Sequence, residues 1–582
     1  MMEELGIMKE EVLQHNQNVG SGEGYKTQGS VSFILRNFIL AVKRHFGILT
    51  LSIVLLFALS SCSDEDPHDY LEEKEAYADA KSLYVNTVAT LYNYIGGKDD
   101  SQGLQGTARG VWDYNTFTTD EAISPTRGGD WYDGGYWQNL YLHQWTEDDN
   151  ELYDMWKYLY KVVILCNGSL ATLDAHEDLL SAEELEAYQA EVRAIRAMYY
   201  YYLMDLFGRV PLVVKNGVTV NDVKQANRSE TFWFVVRELQ EVAPLLVDAH
   251  SNQEGKYYGR VTRPVAYFLL AKLALNANIY TDDNWTDNIF LDGKDIDFPI
   301  GDVHMNAYDA TVVYCNLLDA CGYRLANNYA DNFVVTNENS PENIFVIPID
   351  RFLYTNVFEN IARSCHYSHG GALGLNASNG PSATLTTVNT FYYGSNFLDK
   401  RYAINFYSDT VRVKGELIVL DDGKPLVYMP LAIKLDVTGS PYEKTAGARM
   451  AKYEVDNTKL DKNDIVLFRY GDALLMEAEA LFRNGKSGVR ALNDIRRRAG
   501  MPEVAEMFED TKEYLPFLLS ERLRELVWEG WRRQDLIRFG QFHEGYDMRP
   551  KLPNEDTRYT TVFPIPQAAL ELNHNLTQNP GY

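Results

Sequence analysis

Along most of the chain, apolar residues recur at alternating steps of three and four, the spacing that lines one face of an α-helix. The cleanest run extends from Ser181 to about Phe207, where Leu185, Tyr188, Val192, Ile195, Tyr199, Tyr202 and Leu206 share a face. Ser181 and Glu184 have the spacing of a capping box, and Gly208 with Pro211 supplies the stop. Similar amphipathic stretches fall near 72–95, 150–175, 229–247, 262–280, 306–327, 465–484, 487–499 and 514–539. Many are neighbours with short connections, which predicts helix hairpins. No strict repeat of roughly 34 residues is visible, so any tetratricopeptide-like units are degenerate.

The pattern changes between about 329 and 460, a stretch rich in Asn, Ser, Thr and Gly. Short β-type runs such as Asn343–Ile349 occur there, and Asp422-Gly423 marks a hairpin turn between two apolar runs. This predicts a loop-and-short-strand insertion on a helical frame, within one ligand-binding domain covering 71–582.

The start of the chain reads as an address. Residues 47–61, GILTLSIVLLFALSS, form an apolar run preceded by Lys43, Arg44 and His45. It is shorter than the ~20 residues of a comfortable bilayer span. Leu59-Ser60-Ser61-Cys62 closes it in the pattern of a bacterial lipobox, in which small residues admit the signal peptidase and the Cys62 sulfur receives the lipid. The expected division is a mis-called leader at 1–41, a lipoprotein signal peptide at 42–61 and a lipidated tether at 62–70.

Charge narrows the partners. The formal net charge is -28, and the first 61 residues contain equal numbers of acids and bases, so the whole excess lies beyond Cys62. A body this acidic repels nucleic acid and anionic headgroups. The five cysteines show no CxxC pair, which argues against a zinc ribbon or disulfide framework. Cys365-His366 with His369 lacks a partner cluster, and Asp292, Asp295 and Asp297 lack the closing Glu of a calcium loop, so neither metal nor cofactor is expected. The 40 tyrosines suit either recognition or a helical core.

Read in order, several blocks resemble the SusD/RagB family. They are Glu191–Pro211 (EVRAIRAMYYYYLMDLFGRVP), Arg263–Tyr280, Pro341–Ile347 (PENIFVI), Arg469–Gly485 (RYGDALLMEAEALFRNG), Ala491–Met501 (ALNDIRRRAGM), Glu521–Gly540 (ERLRELVWEGWRRQDLIRFG) and the terminus FPIPQAALELNHNLTQNPGY. The resemblance implies a mainly α, tetratricopeptide-like superhelix. It also implies a surface lipoprotein that caps a SusC-like TonB-dependent transporter and delivers glycan to it. Ser63, Asp64, Glu65 and Asp66 resemble the acidic signal that sends such lipoproteins to the outer face of the outer membrane.

Glu521, Glu525 and Glu529 are four apart, with Arg524 and Arg532 within ion-pair reach, and Gly530 is expected inside the same helix, where it allows close packing. Carboxylates beside arginines stay ionised, so the cluster reads as scaffold, with no catalytic residue expected. Binding chemistry is concentrated elsewhere. Five of the nine tryptophans lie between 112 and 156, and Thr126–Trp137 reads TRGGDWYDGGYW. Such a segment cannot hold a regular helix. Its rings suit the C–H faces of sugars and its carboxylates suit their hydroxyls, which selects Asp130, Trp131, Tyr132, Asp133 and Trp137. Trp285, Tyr392 and the 366–369 loop are further candidates. Two other readings remain open: a peptide-binding lid on a transporter, and a surface glycoside hydrolase with two converging carboxylates.

Overall fold

The cleanest helical pattern becomes the central helix. In the computed structural model, α1 (Asn150–Ala175) and α2 (Ala182–Phe207) pack together across a short connection. The expected capping box is present: the Ser181 hydroxyl accepts from the Glu184 N–H at 3.2 Å, and the Glu184 carboxylate accepts from the Ser181 N–H at 3.0 Å. Gly208, at φ 68°, ends the helix. One buried face is predicted, but every residue from Ala194 to Phe207 is buried. The reason is that α1 covers one side and α3 (Arg228–Val242) another. The tyrosine run is therefore core, and three of its four hydroxyls have partners: Tyr199 donates to the Tyr94 carbonyl (3.0 Å), Tyr200 to that of Val213 (2.8 Å) and Tyr201 to the Gln534 side chain (2.9 Å).

The structure describes residues 76–97, 103–105, 108–349, 359–455 and 463–582. The expectations for residues 1–70, Cys62 included, fall outside them. The helical array continues through α4 (Arg263–Leu275), α5 (Ala307–Ala320), α6 (Tyr470–Arg483), α7 (Val489–Arg498), α8 (Leu515–Leu526) and α9 (Arg532–Arg538), and ends with α10 (Gln567–Leu572). α3 packs on α4, α4 on α5, α5 on α6, and α6 on both α7 and α8. This is the helical-hairpin array expected.

Two predicted helices divide. Ile465–Arg469 is a fully buried strand, and helix begins only at Tyr470. This strand (β2) pairs antiparallel with β1 (Asn343–Ile347), so the two close the base of the insertion. The stretch 514–539 breaks after Leu526. Trp528 and Gly530 take φ of 66° and 75°, so Gly530 lies in a turn and not inside a helix. The turn sends the Trp528 indole to the Asn405 carbonyl (3.2 Å) and stacks it near Trp112. A Cβ on Gly530 would come within 3.0 Å of the Trp112 ring.

The insertion carries short strand pairs, among them Phe406–Tyr407 with Arg449–Met450. The Asp422-Gly423 turn is where expected, closed by the Leu420 N–H on the Lys424 carbonyl at 2.8 Å. Ser382–Ala383 pairs with Ala122–Ile123 and ties the insertion to the frame. Among the described residues no helix is long and apolar enough to cross a membrane.

Candidate functional site

The segment 126–137 folds as a series of tight turns. Arg127 and Asp130 exchange backbone hydrogen bonds (2.9 and 3.1 Å) around Gly128-Gly129. Gly128, Trp131, Asp133, Gly134 and Gly135 all have positive φ, which excludes a regular helix until Tyr136. Thr126 is anchored to the insertion through the Leu435 carbonyl and the Val437 N–H, both at 3.0 Å. Beneath the turn lies Arg127, which donates to the carbonyls of Glu443 (3.0 Å) and Ala446 (2.8 Å) and to the Ser382 hydroxyl (2.8 Å).

Trp131 is half-buried. Its indole N–H donates to the Ser378 carbonyl at 2.7 Å, and its ring lies against Gly380, where a Cβ would sit 2.2 Å away. Tyr132, next in the chain, is 59% exposed. Asp130 accepts a hydrogen bond from the Tyr367 hydroxyl at 2.6 Å, so the 366–369 loop joins the site, and Tyr367 is itself 43% exposed. One oxygen of Asp133 accepts both the Trp137 indole N–H (2.8 Å) and an Arg109 N–H (2.9 Å). Among the described residues the other oxygens of Asp130 and Asp133 have no hydrogen-bond donor.

Trp137 and Trp285 are corrected. Trp137 is 2% exposed, edge-on to Phe117 and Tyr136, and forms the floor of the loop. Trp285 is also 2% exposed, packed over Gly208 with the Arg228 guanidinium 5.6 Å from its ring. Neither offers a face to a ligand. Tyr392 is exposed but lies in another neighbourhood, beside Arg524.

Sequence reasoning missed the supports. Arg363 makes a two-pronged pair with Asp113 (2.9 and 2.8 Å), and its guanidinium lies within 6.0 Å of the Phe117, Trp131 and Trp137 ring centres. It joins the insertion to the frame directly beneath the loop. The partners are 250 residues apart, so no local pattern announces them.

The acid cluster in the C-terminal helices is a buried ion network. Burial opposes ionisation of Glu521, but Arg401, Arg524 and Arg496 outweigh it and hold the carboxyl at about 2. Burial likewise opposes Glu525, and Arg498, Arg469 and Arg401 hold it far below the usual range. Burial pushes the Glu121 carboxyl up to about 8, but this group is 1% exposed and accepts the Trp528 N–H. Cys365, His366 and His369 are buried among Tyr367, Tyr407 and Tyr428. No group of three metal-ligating side chains occurs among the described residues.

Comparison with known proteins extends these observations. The family model described as "SusD family" matches residues 321–582, and the one described as "Starch-binding associating with outer membrane" matches 69–275. The starch-binding protein SusD of Bacteroides thetaiotaomicron is 26% identical over 449 residues, 70% of this chain and 75% of that protein. A SusD-like protein of Bacteroides ovatus is 25% identical over 467 residues, 76% of this chain and 74% of the relative. In fold, a SusD superfamily protein from Bacteroides vulgatus aligns with a TM-score of 0.65 at 18% identity, covering 87% of this chain and 100% of that one. Surface glycan-binding protein A from Bacteroides uniformis aligns at 0.62 and 19% identity, covering 86% and 98%.

Proposed function

The chain belongs to the SusD family, and from that premise we propose that it captures glycan at the outer cell surface and passes it unaltered to a SusC-like TonB-dependent transporter. The supporting observation is the exposed Tyr132 ring, on the same turn as half-buried Trp131 and as Asp130, which Tyr367 holds, with an open carboxylate oxygen on Asp130 and on Asp133. Rings cover the C–H faces of a sugar, and the oxygens accept its hydroxyl protons. The loop needs no rearrangement to bind, because Arg127, Arg363 and Gly380 already hold it.

The proposal includes no bond chemistry. A glycoside hydrolase needs two carboxyls facing one cleft, one of them protonated. Here Glu521 and Glu525 are buried and ionised, and Glu121 is sealed behind Trp528. The Cys62 lipid would hold the body at the outer membrane.

The test is a glycan array with purified protein, beginning with starch oligosaccharides. Tyr132→Ala should weaken binding about tenfold, on the order of 1.4 kcal/mol, with an unchanged circular dichroism spectrum. Equal binding by the variant across the array would remove the loop from the mechanism, and turnover of any carbohydrate would replace the binding-only reading. Cys62→Ala should move the protein from the membrane to the soluble fraction; retention with lipid refutes the anchor.

A further inference from the structure

A second surface stands apart from the aromatic loop. A groove of about 590 Å³ runs between α1, the 211–223 loop and α10. Its floor is aromatic, with Trp156 and Tyr160 on α1. Its walls carry large aliphatic side chains that face water: Ile164 is 58% exposed, Val220 53% and Leu572 67%. Exposed aliphatics gathered in one depression mark a contact surface, unlike the same residues scattered singly.

The groove is pre-formed. At one end Tyr160 donates to the Pro211 carbonyl (2.8 Å) and Asn167 to that of Val213 (2.9 Å). At the other, Asn573 donates to the Val223 carbonyl (3.1 Å) and Asn575 to that of Asn221 (2.9 Å). The loop is therefore fastened at both ends and cannot fold over its own apolar lining without breaking these bonds.

Charge identifies the occupant. The chain carries 82 acidic residues against 54 basic ones, yet no lining residue of this groove is acidic, and Lys157, Lys161 and Lys215 stand among them. Lys157 is shared with Asp154 at 2.8 Å; Lys161 lies over the Tyr94 ring at 4.8 Å, which leaves its ammonium without a carboxylate partner among the described residues. On a body that repels anions overall, the ammoniums of Lys161 and Lys215 border an apolar trough, while the charge of Lys157 is offset by Asp154. Shape separates the possible partners. A bilayer is flat and cannot reach the floor of a concave groove, whereas a helix or strand can insert a ridge of side chains.

We propose that this groove is a docking site for a polypeptide segment of a partner chain, with an apolar ridge flanked by aspartate and glutamate. The proposal is independent of the glycan reading, since the groove shares no residue with the 126–137 loop. The rim lysines steer and orient the segment, and the aliphatic walls and aromatic floor supply the affinity.

The test uses a labelled amphipathic peptide of about 18 residues, five helical turns, with a leucine face and glutamate flanks. A twin with lysine flanks and vesicles of anionic phospholipid serve as comparisons. Fluorescence anisotropy should show saturable binding of the glutamate peptide to wild-type protein. Binding should be at least about tenfold weaker to Ile164→Asp, to Val220→Asp and to Lys161→Glu, and should weaken as salt rises. All three positions are on the surface, and an unchanged melting temperature confirms the fold. Tyr132→Ala should bind the peptide as wild type does, which separates this site from the loop. Equal binding of the lysine twin, no loss in the aspartate variants, or no binding at all overturns the proposal. Vesicle binding that Ile164→Asp abolishes, without peptide binding, would reassign the groove to lipid.

Discussion

Trp131 and Tyr132 are adjacent in the chain and opposite in role. Tyr132 projects into solvent, whereas Trp131, at φ 61°, is clamped between Gly380 and the Ser378 carbonyl. A left-handed φ on a tryptophan costs about 1 kcal/mol or more, so its neighbours fix its position. Trp131→Ala therefore removes packing as well as a contact, and a loss of glycan binding in that variant must be read beside its melting temperature. Gly380→Ala isolates the clamp. The added methyl would lie 2.2 Å from the indole, so the ring must shift. We expect destabilisation of about 1–3 kcal/mol, a changed tryptophan emission, and weaker glycan binding although Tyr132 is untouched. A variant with native emission and native affinity would show that the clamp does not position the site.

Among the elements, the break between α8 and α9 is where helical periodicity misleads. The apolar and charged pattern of 514–539 satisfies a continuous helix, but Trp528 gains more by stacking near Trp112 and reaching Asn405 than by another helical turn. Gly530 makes the sign of a mutation diagnostic. In a continuous helix Gly530→Ala would stabilise by up to ~1 kcal/mol. At φ 75°, with the Trp112 ring 3.0 Å from the new Cβ, it should instead destabilise by about 1–2 kcal/mol, measured by urea unfolding. The same contrast holds for Ile465–Arg469. Its apolar run fits the end of a helix, and it becomes a strand because Asn343–Ile347 lies beside it.

Across the whole molecule, the ion network joins segments that are distant in sequence. Arg469 donates to Glu342 at 2.7 Å, Glu525 at 2.6 Å and Glu529 at 2.7 Å, while Arg401, from the insertion, reaches Glu521 at 2.6 Å and Glu525 at 2.8 Å. Removing one partner of a buried pair strands the others, so Arg469→Met should destabilise by at least about 3–5 kcal/mol in chemical denaturation. The network also sets an acid limit. The folded value of Glu521, about 2, lies below its ordinary 4.5, so the unfolded chain takes up protons first as pH falls. Its contribution is complete above about 4.5 and is lost as pH falls toward 2. Urea midpoints measured from pH 6 to pH 3 should decline through that window, and Glu521→Gln should be less stable at pH 6 and show a flatter decline.

Most of the helices, the capping box, the turn at Asp422-Gly423 and the family blocks could be read from the chain alone, because each rests on residues within a few positions of one another. The irregular backbone of the candidate loop was legible for the same reason: its glycines rule out a helix, and its rings and carboxylates suggest the chemistry proposed for it. Which rings face water was decided only by the tertiary structure. Trp137 and Trp285 are as aromatic as Trp131, but burial depends on what the rest of the fold brings alongside: Phe117 and Arg363 for one, Gly208 and Arg228 for the other. Local spacing carries backbone preference; solvent exposure is set by contacts tens to hundreds of residues apart in sequence, and a single sequence does not record them.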